Sequence, residues 1–220
     1  MQIRGVIFDL DGTLLDSMPL WDNLGARYLA LHGISAAPEL SAILFPMTGP
    51  QAARYLVDTY PLGCSAKQAE SEITALAARF YRESLPLKQG AEALLRFLSE
   101  KGLPLCVLTA TARELACSAL RRTGVLPFFK EILSCGDQGE TKEAPACFLR
   151  ALQILKTLKE ETLVVEDALY AVRTAKAAGF PVAAVYDASS GNAALLLRRT
   201  ADLYLPSLDP DRFPPDFWNY

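Results

Sequence analysis

No apolar run in the sequence reaches the roughly 18 to 20 residues that a membrane-spanning helix needs, so a helical membrane protein is excluded. Excess basic charge is lacking too. The 22 Lys and Arg stand against 25 Asp and Glu, a formal charge of −3, which leaves no positive field to attract nucleic acid or an anionic membrane surface. The five cysteines, Cys64, Cys106, Cys117, Cys135 and Cys147, contain no CxxC pair. Odd in number and scattered, they read as reduced, packed thiols without a function of their own. There is no internal repeat and no low-complexity tract. Met1-Gln2-Ile3-Arg4 carries no cleavable-signal pattern, so the cytoplasm is the expected location. What is present is 220 residues, 51% of them hydrophobic, enough to bury one full core and a small second one.

Short, continuous apolar runs recur at Val6-Ile7-Phe8, Leu105 to Leu108, Ile132-Leu133, Leu163-Val164-Val165 and Val182 to Val185. Runs without alternation are the mark of strands buried on both faces. Between them lie helical patterns, with Ala91, Leu94, Leu95 and Leu98 on one face, and Ala171, Val172, Ala175 and Ala178 on another ahead of Gly179. Alternation of strand and helix predicts an α/β fold, a doubly wound parallel sheet with helices on both faces.

The first crossover breaks the pattern. A βαβ unit takes about 30 residues, whereas the chain from Asp9 to Leu105 is about three times longer. Within it, Leu20, Leu24, Tyr28 and Leu31 share a helical face behind Pro19. Ala69, Ile73, Leu76 and Phe80 share another behind a Ser65/Gln68 capping box, and a third helix starts near Pro50. The expected division is a catalytic α/β core of residues 1–15 and 86–220, with residues 16–85 as an inserted α-helical cap, hinged at two crossings. Residues 206–220, rich in proline, read as a non-regular tail whose aromatics pack or lie on the surface.

In an open parallel sheet, whatever follows each strand gathers along one edge, where ligands bind. Asp9 and Asp11 follow the first strand, Thr109-Ala110-Thr111 the second, Lys142 lies beyond the third, and Glu166-Asp167 close the fourth. Clustered carboxylates repel one another and are tolerated when a hard cation with oxygen ligands neutralises them, so the cluster predicts Mg²⁺. Metal, lysine and hydroxyls together make a receptor for a tetrahedral oxyanion. One carboxylate can attack phosphorus, and a second can protonate the leaving oxygen and then activate water.

Asp9-Leu10-Asp11-Gly12-Thr13, then Thr109, then Lys142 ahead of Pro145, then Glu166-Asp167, resemble the four ordered motifs of the haloacid dehalogenase superfamily. The helical insert, Asp16 to Leu20 and Ala175 to Phe180 resemble its branch of small capped phosphatases and β-phosphoglucomutase. The resemblance covers nearly the whole chain. It implies Asp9 as nucleophile and metal ligand, and Asp11 as acid/base with its carbonyl on Mg²⁺. It further implies Thr109, Ala110 and Lys142 on the phosphate, Asp167 as metal ligand and Glu166 in support of the metal shell. Glu143 stands where many relatives carry Pro.

Mutase-type members place a histidine early in the first cap helix, where this chain has Trp21; His32 is its only histidine. That favours hydrolysis, and Asp11 argues against dehalogenation, whose branch lacks this second acid. The resulting expectation is a Mg²⁺-dependent phosphatase acting on a small phosphorylated metabolite such as a sugar phosphate, through an aspartyl-phosphate. The alternatives are a β-phosphoglucomutase-type mutase and, from another class, a phosphate-binding or receiver-like signalling protein. Trp21, Tyr28 and Phe80 read first as cap core, while Thr48, Gly49 and Trp21 are the candidate specificity residues of the cap. The expected assembly is a monomer or weak homodimer, with no nucleic-acid or membrane partner.

Overall fold

The computed structural model describes residues 2–44, 47–136, 139–191, 193–214 and 217–218. The chain divides into two compact units, Met1–Asp16 with Leu85–Tyr220, and Ser17–Ser84. Among the described residues the first unit holds strands β1 (Gly5–Phe8), β2 (Leu105–Thr109), β3 (Phe129–Ser134), β4 (Thr162–Glu166), β5 (Val182–Val185) and β6 (Leu203–Leu205). The second holds helices α1 (Met18–Leu31), α2 (Leu40–Leu44), α3 (Gly49–Thr59) and α4 (Ala66–Glu83). The first unit adds α5 (Ala91–Glu100), α6 (Arg113–Arg122), α7 (Ala146–Leu155), α8 (Leu169–Ala177) and α9 (Ala193–Thr200).

The six strands form one parallel sheet in the order β3-β2-β1-β4-β5-β6. From β1 the chain winds outward through β2 and β3, then returns to β4 on the other side of β1 and winds outward again. The reversal lies between β1 and β4, and the crevice at their carboxyl ends is where an open α/β sheet binds its ligand. β1, β2, β4 and β5 are buried along their whole length, which explains their unalternating apolar sequence. Against the sheet, Cys147, Phe148, Ala151 and Leu155 of α7 and Ala171, Val172 and Ala175 of α8 close the core.

Where the chain leaves and re-enters this unit the two segments pair. Leu15 bridges Leu87 in antiparallel sense, Asp16 N–H donates to Pro86 O at 3.0 Å, and Lys88 N–H to Leu14 O at 2.9 Å. Lys88 Nζ also holds Asp187 Oδ2 at 2.6 Å, with both side chains largely buried. Asp187 is therefore a buried ion-pair partner that finds its cation 99 residues away.

In the second unit Tyr28, Leu29, Leu40, Ala53, Leu56, Leu62 and Ala69 form a separate core. Ser65 caps α4 by accepting the N–H of Gln68 at 3.2 Å, and α1 approaches α2 so closely that a Cβ on Gly25 would lie 2.5 Å from Leu44. Two expectations need correction. Leu31, the last residue of α1, is 69% exposed, and Leu29 supplies the buried leucine at that end. Trp21 is 42% exposed, its ring edge-on to buried Tyr81, so it is not core. The half-buried Phe80 carries Arg27 over its face at 5.1 Å. In the C-terminal stretch, Phe213 and Trp218 are buried and Trp218 meets Phe97 of α5 edge-on; Tyr220 lies outside the described residues.

Candidate active site

Asp9 directly follows β1, its backbone N–H donating to Val165 O of β4 at 2.9 Å. Glu166 ends β4 and Asp167 precedes α8. The β1–β4 pairing thus brings three buried carboxylates together, each offering an oxygen within 4.8 Å of the others. Lys142, also buried, reaches in from the segment between β3 and α7, pairing with Asp9 Oδ1 and with Glu166 Oε2 at 3.2 Å. The sequence placed it in the loop beyond the third strand, and the fold brings its ammonium to Asp9.

Three carboxylates and one ammonium, all removed from water, leave a local excess of negative charge that burial makes costly. Burial, reinforced by the charge on Asp9, pushes the Asp167 carboxyl up to about 8. The same two causes, burial first, hold Glu166 well above the carboxylate range. Burial would pull the Lys142 ammonium down, but the charges of Asp9 and Glu166 more than offset it and the pKa is raised. Asp9 Oδ2 is buried without a hydrogen-bond partner among the described residues. A buried carboxylate oxygen with no donor, beside two carboxyls driven toward protonation, fits a hard divalent cation with oxygen ligands such as Mg²⁺.

The rest of the site is built by loops. Asp11 lies in a tight turn closed by its bridge to Leu15 and by Gly12 N–H donating to Leu15 O at 2.9 Å. Gly12 has φ +85°, and a Cβ there would lie 2.3 Å from Asp167 Oδ2, so backbone conformation and the packed carboxylate both demand glycine. Thr13 Oγ1 donates to Asp167 Oδ1 at 3.0 Å. Thr109 is buried at the end of β2, its hydroxyl accepting from Thr111 N–H at 3.0 Å, and Ala110 beside it is exposed. Gly136 passes so near Ala110 that a Cβ would lie 2.7 Å from Ala110 O.

Three residues with no role in the sequence reading meet this cluster. Thr13 orients Asp167, Thr111 Oγ1 donates to Asp11 Oδ2 at 2.6 Å, and the phenol of Tyr170, a residue 47% exposed, is raised by partial burial and feels the charges of Lys142 and Glu166. Thr13 ends the motif that starts at Asp9, Thr111 lies two residues past Thr109 and Tyr170 three past Asp167; nearness to the motif residues was the available signal. Among the candidate specificity residues, Thr48 is the N-cap of α3, with its backbone N–H donating to Gln51 Oε1 at 2.9 Å. Gly49 opens that helix with open space around its Cα. Both, with Trp21, belong to the helical unit. Phe45 and Pro46 of the same loop lie outside the described residues.

A parallel sheet whose reversal point carries an acid cluster, a buried lysine and hydroxyls defines a phosphoryl-transfer enzyme of the α/β class. The haloacid dehalogenase-like hydrolase family profile matches residues 3–179, and the chain belongs to that family, in its branch of phosphatases and β-phosphoglucomutase-like proteins. Hexitol phosphatase A of Escherichia coli K12 is 32% identical over 187 residues, 84% of each chain. The phosphorylated carbohydrates phosphatase of Thermotoga maritima is 26% identical over 178 residues, 80% of this chain and 82% of that one. A Thermotoga maritima crystal structure assigned as a β-phosphoglucomutase superposes with a TM-score of 0.82 at 25% identity, covering 100% of this chain and 97% of the other. The chain is a phosphatase enzyme of this family. No helix among the described residues is long and apolar enough to cross a membrane.

Proposed function

We propose that the protein hydrolyses the phosphomonoester of a small sugar or polyol phosphate through an aspartyl-phosphate on Asp9. The carrying observation is the buried constellation itself: Asp9 paired with Lys142, Glu166 and Asp167 at its side, and Asp11 two residues on with its carboxyl held by Thr111. A carboxylate so placed can attack phosphorus, while Lys142 meets charge on the phosphoryl oxygens in a site where low dielectric strengthens the interaction. Thr109 and the Ala110 backbone border the same edge and complete the phosphate cradle. Asp9, Asp167 and the Asp11 carbonyl would hold Mg²⁺, with Glu166 in support, and the ion would supply charge neutralisation for the phosphoryl group. Asp11 gives its proton to the leaving oxygen and later takes one from the attacking water.

The names of the two curated relatives support a phosphorylated carbohydrate as substrate. Trp21, in place of an early cap histidine, supports hydrolysis over mutase chemistry. The test is release of inorganic phosphate from a panel of hexose, hexitol and glycerol phosphates with Mg²⁺, run beside β-glucose 1-phosphate. Many turnovers on a carbohydrate phosphate are the expected result. Isomerisation of the phosphosugar without phosphate release would instead establish the mutase.

A further inference from the structure

β1 and β2 are parallel neighbours with Phe8 beside Val107, so their carboxyl ends rise to nearly the same height. Asp11 comes three residues after Phe8 and Thr111 four after Val107, which brings them together across 100 residues of chain. The Thr111 hydroxyl donates to Asp11 Oδ2 at 2.6 Å, short as expected for a hydroxyl on a carboxylate. Both backbones are anchored. Thr111 N–H is held by Thr109 Oγ1, and Thr109 O accepts from Cys135 N–H at 2.8 Å. The Asp11 turn is closed by Gly12 N–H on Leu15 O and Leu14 N–H on Leu10 O, both 2.9 Å. With the main chains set, the side-chain torsions of Asp11 are what the Thr111 bond restrains.

In a carboxylic acid the carbonyl oxygen accepts a hydrogen bond better than the hydroxyl oxygen does, so a hydroxyl donating to Oδ2 favours an acid proton on Oδ1. We propose that Thr111 is a positioning residue for proton transfer, holding Asp11 so that Oδ1 is the atom that gives and takes the proton. The proposal rests on the acid/base reading of Asp11 above. In the first step an Asp9 oxygen bonds to phosphorus, the ester P–O bond breaks, and the leaving oxygen takes the Oδ1 proton and departs as the alcohol. In the second, water oxygen bonds to phosphorus, its proton passes to Oδ1, and the Asp9–phosphorus bond breaks to release phosphate and restore both carboxyls. An alkoxide leaving group needs that proton and a nitrophenolate scarcely does, so the Thr111 bond matters most for alkyl phosphates, the substrate class of the proposed function.

The experiment compares kcat/KM for p-nitrophenyl phosphate and for glycerol and hexose phosphates in wild type, T111V, T111S, D11N and T111V/D11N, after thermal melts show each variant folded. Because kcat/KM reports only the steps up to alcohol release, the second half-reaction does not enter. T111V should lose about 10- to 100-fold on the alkyl esters and about threefold or less on the aryl ester, with T111S near wild type. D11N should discriminate in the same sense more strongly, and the double variant should be no worse than D11N. With D11N discriminating, three outcomes overturn the role of Thr111: equal losses on both ester types in T111V, no loss on alkyl esters, or T111S as impaired as T111V. A D11N variant that fails to discriminate overturns the acid role of Asp11 itself, and the role of Thr111 with it.

Discussion

Replacing Asp167 by Asn should stabilise the metal-free protein, although it removes a residue of the proposed active site. The asparagine keeps the shape and an oxygen to accept from Thr13, which now donates to Asp167 Oδ1 at 3.0 Å, but it removes an ionisable group that the buried cluster with Asp9 and Glu166 keeps protonated. Asp167 is raised from 3.8 to about 8, by burial first and the Asp9 charge second. The sign follows from linkage. Below 3.8 the folded and unfolded chains both hold the proton and there is no penalty. As pH rises from 3.8 toward 8 the unfolded chain releases its proton while the folded chain keeps it, so stability falls, and above 8 the full penalty stands. At about 1.4 kcal/mol per pH unit the ceiling at pH 7 is about 4 kcal/mol. At about 2–4 °C per kcal/mol for a chain of this size, D167N should melt several degrees above wild type in EDTA. The advantage should shrink toward pH 5. Saturating Mg²⁺ should narrow the gap, since a ligand at 100 times its Kd stabilises the form that binds it by about 2.7 kcal/mol and D167N would lack an oxygen of the proposed Mg²⁺ site. Thermal unfolding of both proteins from pH 5 to 8.5, in EDTA and in Mg²⁺, reads all of this. A D167N protein no more stable than wild type at pH 8 in EDTA, or one that gains as much from Mg²⁺, would refute the reasoning.

Asp9→Asn should abolish phosphate release while the circular dichroism spectrum and melting cooperativity stay native, because the amide keeps shape but is no nucleophile; near-normal turnover is the contrary result. Exhaustive chelation should remove activity and added Mg²⁺ should restore it, measured as phosphate release after dialysis. Gly12→Ala should be far more damaging than an ordinary loop substitution, since φ is +85° and the new Cβ would lie 2.3 Å from Asp167 Oδ2; a loss of about 1–3 kcal/mol in chemical denaturation, with activity lost as well, is expected.

The sequence by itself determined the α/β class, because a strand buried on both faces needs an unbroken apolar run and an amphipathic helix a 3.6-residue period, and both are local patterns. Val6 to Phe8, Leu163 to Val165 and the Ala91 to Leu98 face needed nothing beyond their own neighbours. The meeting of Asp9, Glu166 and Asp167 was legible for the same reason: Asp9 and Glu166 directly follow such runs, Asp167 comes next, and parallel strands share an edge. Elements too short to show a period were not legible, among them the five-residue α2 and the three-residue β6. Helical period also could not tell Leu31 from Leu24, since it reports the face of a helix and not where along its length the neighbours stop. Only the tertiary structure decided that β1 lies between β2 and β4, since strand order depends on which edges pair and no local pattern records it. From that order follow the contact of Lys142 with Asp9, the ion pair of Lys88 with Asp187 and the bond from Thr111 to Asp11. They join residues 99 to 133 positions apart, and the register that brings them together is a property of the folded sheet.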